Sequence, residues 1–133
     1  MEYAPVGAGE PLCLMPDLIS AFAERYVSAK QEYLLTIHLD ADGHVLACAT
    51  FSSDSNDHVP FPIRSIISDA LDLGSKCLVL AHNHPSGIAE PSESDIAQTR
   101  ALAQILLPLE VEIEDHFIIA QNGLFSFRSH GLI

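Results

Sequence analysis

Apolar residues recur at helical spacing across residues 16–30, where Leu18, Ile19, Phe22, Ala23, Tyr26 and Val27 share one face and Pro16 stands near the start. The stretch EYLLTIHLD (32–40) is rich in strand formers, Asp42-Gly43 signals a turn, and HVLACATF (44–51) returns as a second strand. Helical spacing resumes over 63–74 with Ile63, Ile66, Ile67, Ala70 and Leu71, closed by Gly74. KCLVLA (76–81) is short and apolar throughout, as a strand buried on both faces should be. An amphipathic helix is predicted over 92–107, stopped by Pro108. Strands over 111–120 and 124–128 follow, joined at Asn122-Gly123.

Residues 1–15 show no period and hold Pro5, Gly7, Gly9 and Pro11, which predicts an irregular lead-in; SSDSNDHVPFP (52–62) reads as a polar loop. The order α-β-β-α-β-α-β-β predicts an α/β fold, a mixed sheet flanked by helices, in one domain over 16–133. The length of 133 residues and the 48% of hydrophobic residues suit a single packed core.

Charge narrows the partners. Six basic residues face 18 acidic ones, a net charge of −12, and Arg25, Lys30, Arg64, Lys76, Arg100 and Arg128 form no stripe. Nucleic acid and anionic membrane are therefore disfavoured, since both are gripped by clustered Lys and Arg. Cys13, Cys48 and Cys77 make an odd set without a C-x-x-C pair, and no signal peptide is apparent, so a reduced, cytoplasmic setting is expected. No apolar run is long enough to span a bilayer.

The chemistry concentrates in AHNHPSGIAEPSESD (81–95). His82 and His84 follow a buried strand, and residues two apart in extended chain point to one side, so both imidazoles can grip one ion while Asn83 faces away. Catalytic zinc takes three protein ligands, and Asp95, in the first turn of the next helix, is placed to be the third. Ser92-x-x-Asp95 also reads as a helix capping box, although the usual acid there is Glu or Gln. From the residues alone, a His-His-Asp metal site and a strand, turn and capped helix both stand.

His82-x-His84-Pro85, six residues, then Ser92-x-x-Asp95 resembles the full H-x-H-P-x(6)-S-x-x-D signature of JAMM/MPN+ zinc metallopeptidases, and its wording is similar to that of the RadC family. The likeness extends to DHFII (115–119) and SFRSHGLI (126–133), and covers roughly residues 16–133. It implies a JAMM/MPN-like, cytidine-deaminase-like domain binding Zn2+ through His82, His84 and Asp95. It implies that Ser92 supports the tetrahedral intermediate and that Glu32, at the start of the first core strand, is the general base of amide hydrolysis. By itself Glu32 would read as an exposed acid, with Glu24 and Glu90 as rivals.

An acid is expected to orient the zinc-binding histidines. His116 reads as a partly buried strand histidine, with a place beside the site as the other option; His38, His44, His58 and His130 read as structural or exposed. The implied substrate is a peptide or protein, a ubiquitin-like tail among the options, and a homodimer is an expected assembly. A non-catalytic MPN-like interaction module and a RadC-type DNA-repair-associated protein are the rival functions. Against the latter stand the acidity and the lack, in these residues, of the helical DNA-binding segment that full-length RadC proteins carry. FSSDSND (51–57) also departs from the Gly-Thr usual in that family after the second strand.

Overall fold

A computed structural model describes residues 14–52 and 61–133 in full and the backbone of residues 2–5. His58, Cys13, most of the predicted 52–62 loop with its departure from the family wording, and most of the lead-in lie outside the described residues. Along the chain come β1 (Glu2–Pro5), α1 (Met15–Tyr26), β2 (Tyr33–Leu39), β3 (Val45–Ser52), α2 (Ile63–Leu73), β4 (Cys77–Asn83), α3 (Glu93–Leu106), a 3-10 turn (Leu107–Leu109), β5 (Glu112–Ala120) and β6 (Gly123–Ser126). The α/β expectation holds. The lead-in differs from its reading: residues 2–5 form a strand paired antiparallel to β3, an edge position that needs only backbone groups and leaves no hydrophobic period to read.

Among the described residues the sheet has six strands in the order β1-β3-β2-β4-β5-β6, mixed because β4 and β5 run parallel. Alternation along β2 and β4 divides the core in two. Leu35, Ile37, Leu39, Val79 and Ala81 pack with Ile19 and Phe22 of α1. Leu34, Leu78 and Leu80 pack on the other side with Ile66 of α2 and Leu102 and Leu106 of α3. β4 is buried from Leu78 to Asn83, as its apolar run predicts, and extends beyond that run to include His82. By alternation His82 falls on the α2/α3 side with Leu80, and Asn83 on the α1 side.

The β4–β5 ladder slips by one residue: Leu78 pairs with Ile113 but Val79 with Asp115, leaving Glu114 as a bulge. From there His116 pairs with Leu80 and shares its face. A slip of one residue turns every later side chain over, so the bulge is what puts His116 on the side of His82.

Candidate metal centre

β4 ends on His82 and Asn83, and the chain then turns through residues 84–92 into α3. Gly87 sits in the left-handed region at φ 85°, where other residues are strained, and its N–H closes a turn on the His84 carbonyl at 3.1 Å. The loop is tied to the β5–β6 turn: Asn122 N–H donates to the Gly87 carbonyl at 3.1 Å, and Asn122 Oδ1 accepts from Ala89 N–H at 2.8 Å. α3 then starts with the predicted capping box, in which Ser92 Oγ accepts from Asp95 N–H at 3.0 Å and Asp95 Oδ2 accepts from Ser92 N–H at 2.9 Å.

The same Oδ2 atom meets both histidines. His82 Nε2, His84 Nε2 and Asp95 Oδ2 form a triangle with edges of 2.8, 3.1 and 3.5 Å. The two readings left open by the residues are therefore realised together, a capped helix and a His-His-Asp cluster sharing one oxygen. Ligands about 2.0–2.2 Å from a tetrahedral zinc stand about 3.3–3.6 Å apart, close to this triangle.

The surrounding hydrogen bonds dictate where the ring protons lie. Thr99 Oγ–H donates to the Asp95 carbonyl at 2.7 Å, so its oxygen accepts from His116 Nδ1–H at 2.8 Å. His116 Nε2 is then a bare lone pair and accepts from His82 Nδ1–H at 2.6 Å. His84 Nδ1–H donates to the Ile88 carbonyl at 3.1 Å. Both ligand histidines thus turn Nε2 lone pairs toward each other and toward a carboxylate. Three electron-pair donors converge with no hydrogen of their own between them, and such a group needs a cation. Burial opposes the charged form of His84, but the hydrogen bond and charge of Asp95, the Ile88 carbonyl and the charge of Glu32 outweigh it and raise its pKa. Burial likewise opposes the Asp95 anion, yet the neighbouring imidazoles of His82 and His84 and the Ser92 N–H hold it well below the usual carboxylate range. His116 is wholly buried, and burial keeps it neutral with a pKa far below that of a free histidine.

His116 is the residue that sequence reasoning set aside as a partly buried strand histidine. Among the described residues no acid orients His82 through its Nδ1; His116 and Thr99 do so, and the Ile88 carbonyl orients His84. Glu32 and Ser92 reach the same place. Glu32 is half-buried and, with His84, Pro85, Ser86, Ser92 and Asp95, lines a cleft of about 220 Å³; a second recess joins Glu32 to His82, Asp95 and Phe61. Glu24 and Glu90 are exposed and line neither. His38 bonds to Ser75, His44 to Asp40, and His130 stacks on Phe125. A larger apolar groove of about 310 Å³, between α3 and the chain's C-terminal residues, carries none of this chemistry.

Residues 15–132 match the family model described as RadC-like JAB domain. The chain belongs to the RadC-like JAB domain family. It is 32% identical over 117 residues to a UPF0758 protein of Janthinobacterium sp. (strain Marseille), covering 87% of this chain and 52% of that protein. It is 34% identical over 119 residues to a UPF0758 protein of Nitrosospira multiformis, covering 89% and 53%, and 34% identical over 128 residues to one of Methylibium petroleiphilum, covering 95% and 57%. The chain thus spans about half the length of the curated relatives it matches. The JAB domain accounts for the α/β sheet and for a His-His-Asp group able to hold a metal ion. Among the described residues no helix is long and apolar enough to cross a membrane.

Proposed function

We propose that this JAB domain is a zinc-dependent hydrolase of amide bonds, a peptidase or isopeptidase, acting on a peptide or protein substrate. The observation that carries the reading is the convergence of two imidazole lone pairs and a carboxylate beside a cleft lined by a further carboxylate and a serine. His82, His84 and Asp95 would hold the ion. A bound zinc supplies Lewis acidity, polarising a carbonyl and making a water more acidic.

The remaining work falls to the chain. Glu32 shares the cleft with the metal group and would accept the proton of the attacking water and return it to the leaving amine. Ser92 spends its oxygen lone pair on Asp95 N–H, which leaves its O–H free to donate to the developing oxyanion. Capping and catalysis use opposite ends of the same hydroxyl and do not compete. His116 and Thr99 keep the His82 proton away from the metal side.

The test starts with metal content, measured by plasma mass spectrometry on native protein and on His84→Ala purified beside it. Near-stoichiometric zinc in the first, lost in the second, supports the centre. A substrate screen with Glu32→Gln as control then tests hydrolysis. Zinc-loaded protein that hydrolyses nothing in the screen would favour a non-catalytic interaction module, and hydrolysis indifferent to Glu32→Gln would remove Glu32 as the base.

A further inference from the structure

The metal group leaves one residue of the His-x-His pair without a task. Asn83 stands between the two histidines and sends its side chain to the opposite face of β4. It is fully buried, where an unpartnered amide would be costly. Its amide is spent on two backbone groups: Nδ2 donates to the Gln31 carbonyl at 2.8 Å, and Oδ1 accepts from Tyr33 N–H at 2.6 Å. Those groups belong to the peptide units just before and just after the Cα of Glu32.

The β2–β4 ladder ends one residue short of these groups. Its last registered pair is Leu34 with His82, and the same register carried on would set Gln31 opposite Pro85, which has no N–H to give. The Asn83 amide replaces the missing rung with one donor and one acceptor, as an adjacent strand grips a single residue. Fixing the carbonyl before a residue and the N–H after it orients both peptide planes at its Cα, and so sets the direction of the Cα–Cβ bond. At Glu32 that direction leads to the cleft shared with His84, Ser92 and Asp95.

We propose that Asn83 is a positioning residue for Glu32: the end of β4 presents His82 on one face and leads directly into His84, while Asn83, from the other face, fixes the carboxylate that works beside them. The proposal rests on the reading of Glu32 as the base, and its test separates the two. Wild type, Asn83→Ala and Asn83→Asp are compared by backbone amide exchange and by carbon-13 signals of labelled glutamate carboxylates, with Glu32 assigned by its loss in Glu32→Gln, before and after zinc is added.

In Asn83→Ala the Tyr33 amide should exchange at least about tenfold faster while those of Leu35 and Ile37 keep their rates. Zinc affinity by chelator competition should stay within about twofold of wild type, since Asn83 bonds to no ligand side chain. The zinc-induced shift of the Glu32 signal should fall to less than about half. Asn83→Asp, which keeps the acceptor and the shape, should retain Tyr33 protection and lose part of the Glu32 response; it also serves if the alanine variant does not fold. An unchanged Tyr33 rate in Asn83→Ala overturns the clamp. A freed Tyr33 amide with a full Glu32 response overturns the positioning role and leaves Asn83 as a closure of the sheet end. If the wild-type Glu32 signal ignores zinc, the base assignment itself falls, and the failure shows in wild type rather than in the variant.

Discussion

Replacing His116 with phenylalanine removes one hydrogen-bond acceptor and one donor and keeps a ring. The ring matters because His116 stacks on Phe127 at 4.5 Å between centroids and lies 5.7 Å from Phe61, so His116→Phe leaves that packing largely in place. Two bonds disappear, from His82 Nδ1–H at 2.6 Å and to Thr99 Oγ1 at 2.8 Å. His82 then has two poor choices. It can keep its proton on Nδ1, buried without a partner, at a cost of about 1–3 kcal/mol. It can instead move the proton to Nε2, which blocks the atom facing the metal. Either route penalises the metal-bound state, and the loss expected for such an outer hydrogen bond is 10–100-fold in affinity, about 1.4–2.8 kcal/mol. The assay is zinc affinity by competition with a chromophoric chelator, on protein shown by circular dichroism to be folded. A folded His116→Phe variant binding zinc within about twofold of wild type would refute the proton assignment running from Thr99 to His82.

Other substitutions probe separate links. His84→Ala should lose near-stoichiometric zinc, read by plasma mass spectrometry. Ser92→Ala removes the α3 cap and should destabilise the metal-free protein by about 0.5–2 kcal/mol in chemical denaturation; no loss would deny the capping bond its weight. His38 is buried, and burial pulls its pKa down to about 4 from 6.5. Because the unfolded chain takes up a proton there first, the contribution of His38 is complete above about pH 6.5 and lost as pH falls toward about 4, on the order of 3 kcal/mol in all. His38→Phe should flatten the stability–pH slope in that window, and an unchanged slope would contradict it.

The hydrophobic pattern made much of this molecule legible. Period and punctuation located the three helices and the inner strands because those elements bury one face or two, and burial writes itself into residue choice. The edge strand Glu2–Pro5 escaped because its backbone pairing needs no apolar period. His82, His84, Ser92 and Asp95 were legible because they are close in sequence and their spacing is the geometry. Glu32 came only through family resemblance, since nothing local ties residue 32 to residue 82. His116 was missed for a specific reason. Read as a straight ladder from Ile113 opposite Leu78, β5 would set Asp115 on the His82 face, an acid as expected; the bulge at Glu114 brings His116 there instead. One extra residue in a ladder carries no signature in composition or period. Asn83 was placed facing away from the metal, as found, but its grip on Gln31 and Tyr33 depends on where two strands part, which the sequence does not record.

The acid at position 95 serves two masters through one atom. A helix start with serine at its cap usually takes glutamate or glutamine three residues on. Here the shorter acid closes the cap with Oδ2, the oxygen that also meets both histidines. Glutamate would cap α3 at least as well but would carry its carboxylate one methylene further into the cluster. An engineer raising thermostability by optimising helix ends would be drawn to Asp95→Glu, and would displace the carboxylate oxygen that the proposed metal group shares with the cap. Position 95 is thus a place where the helix cap and the proposed metal group differ in their demands by a single carbon.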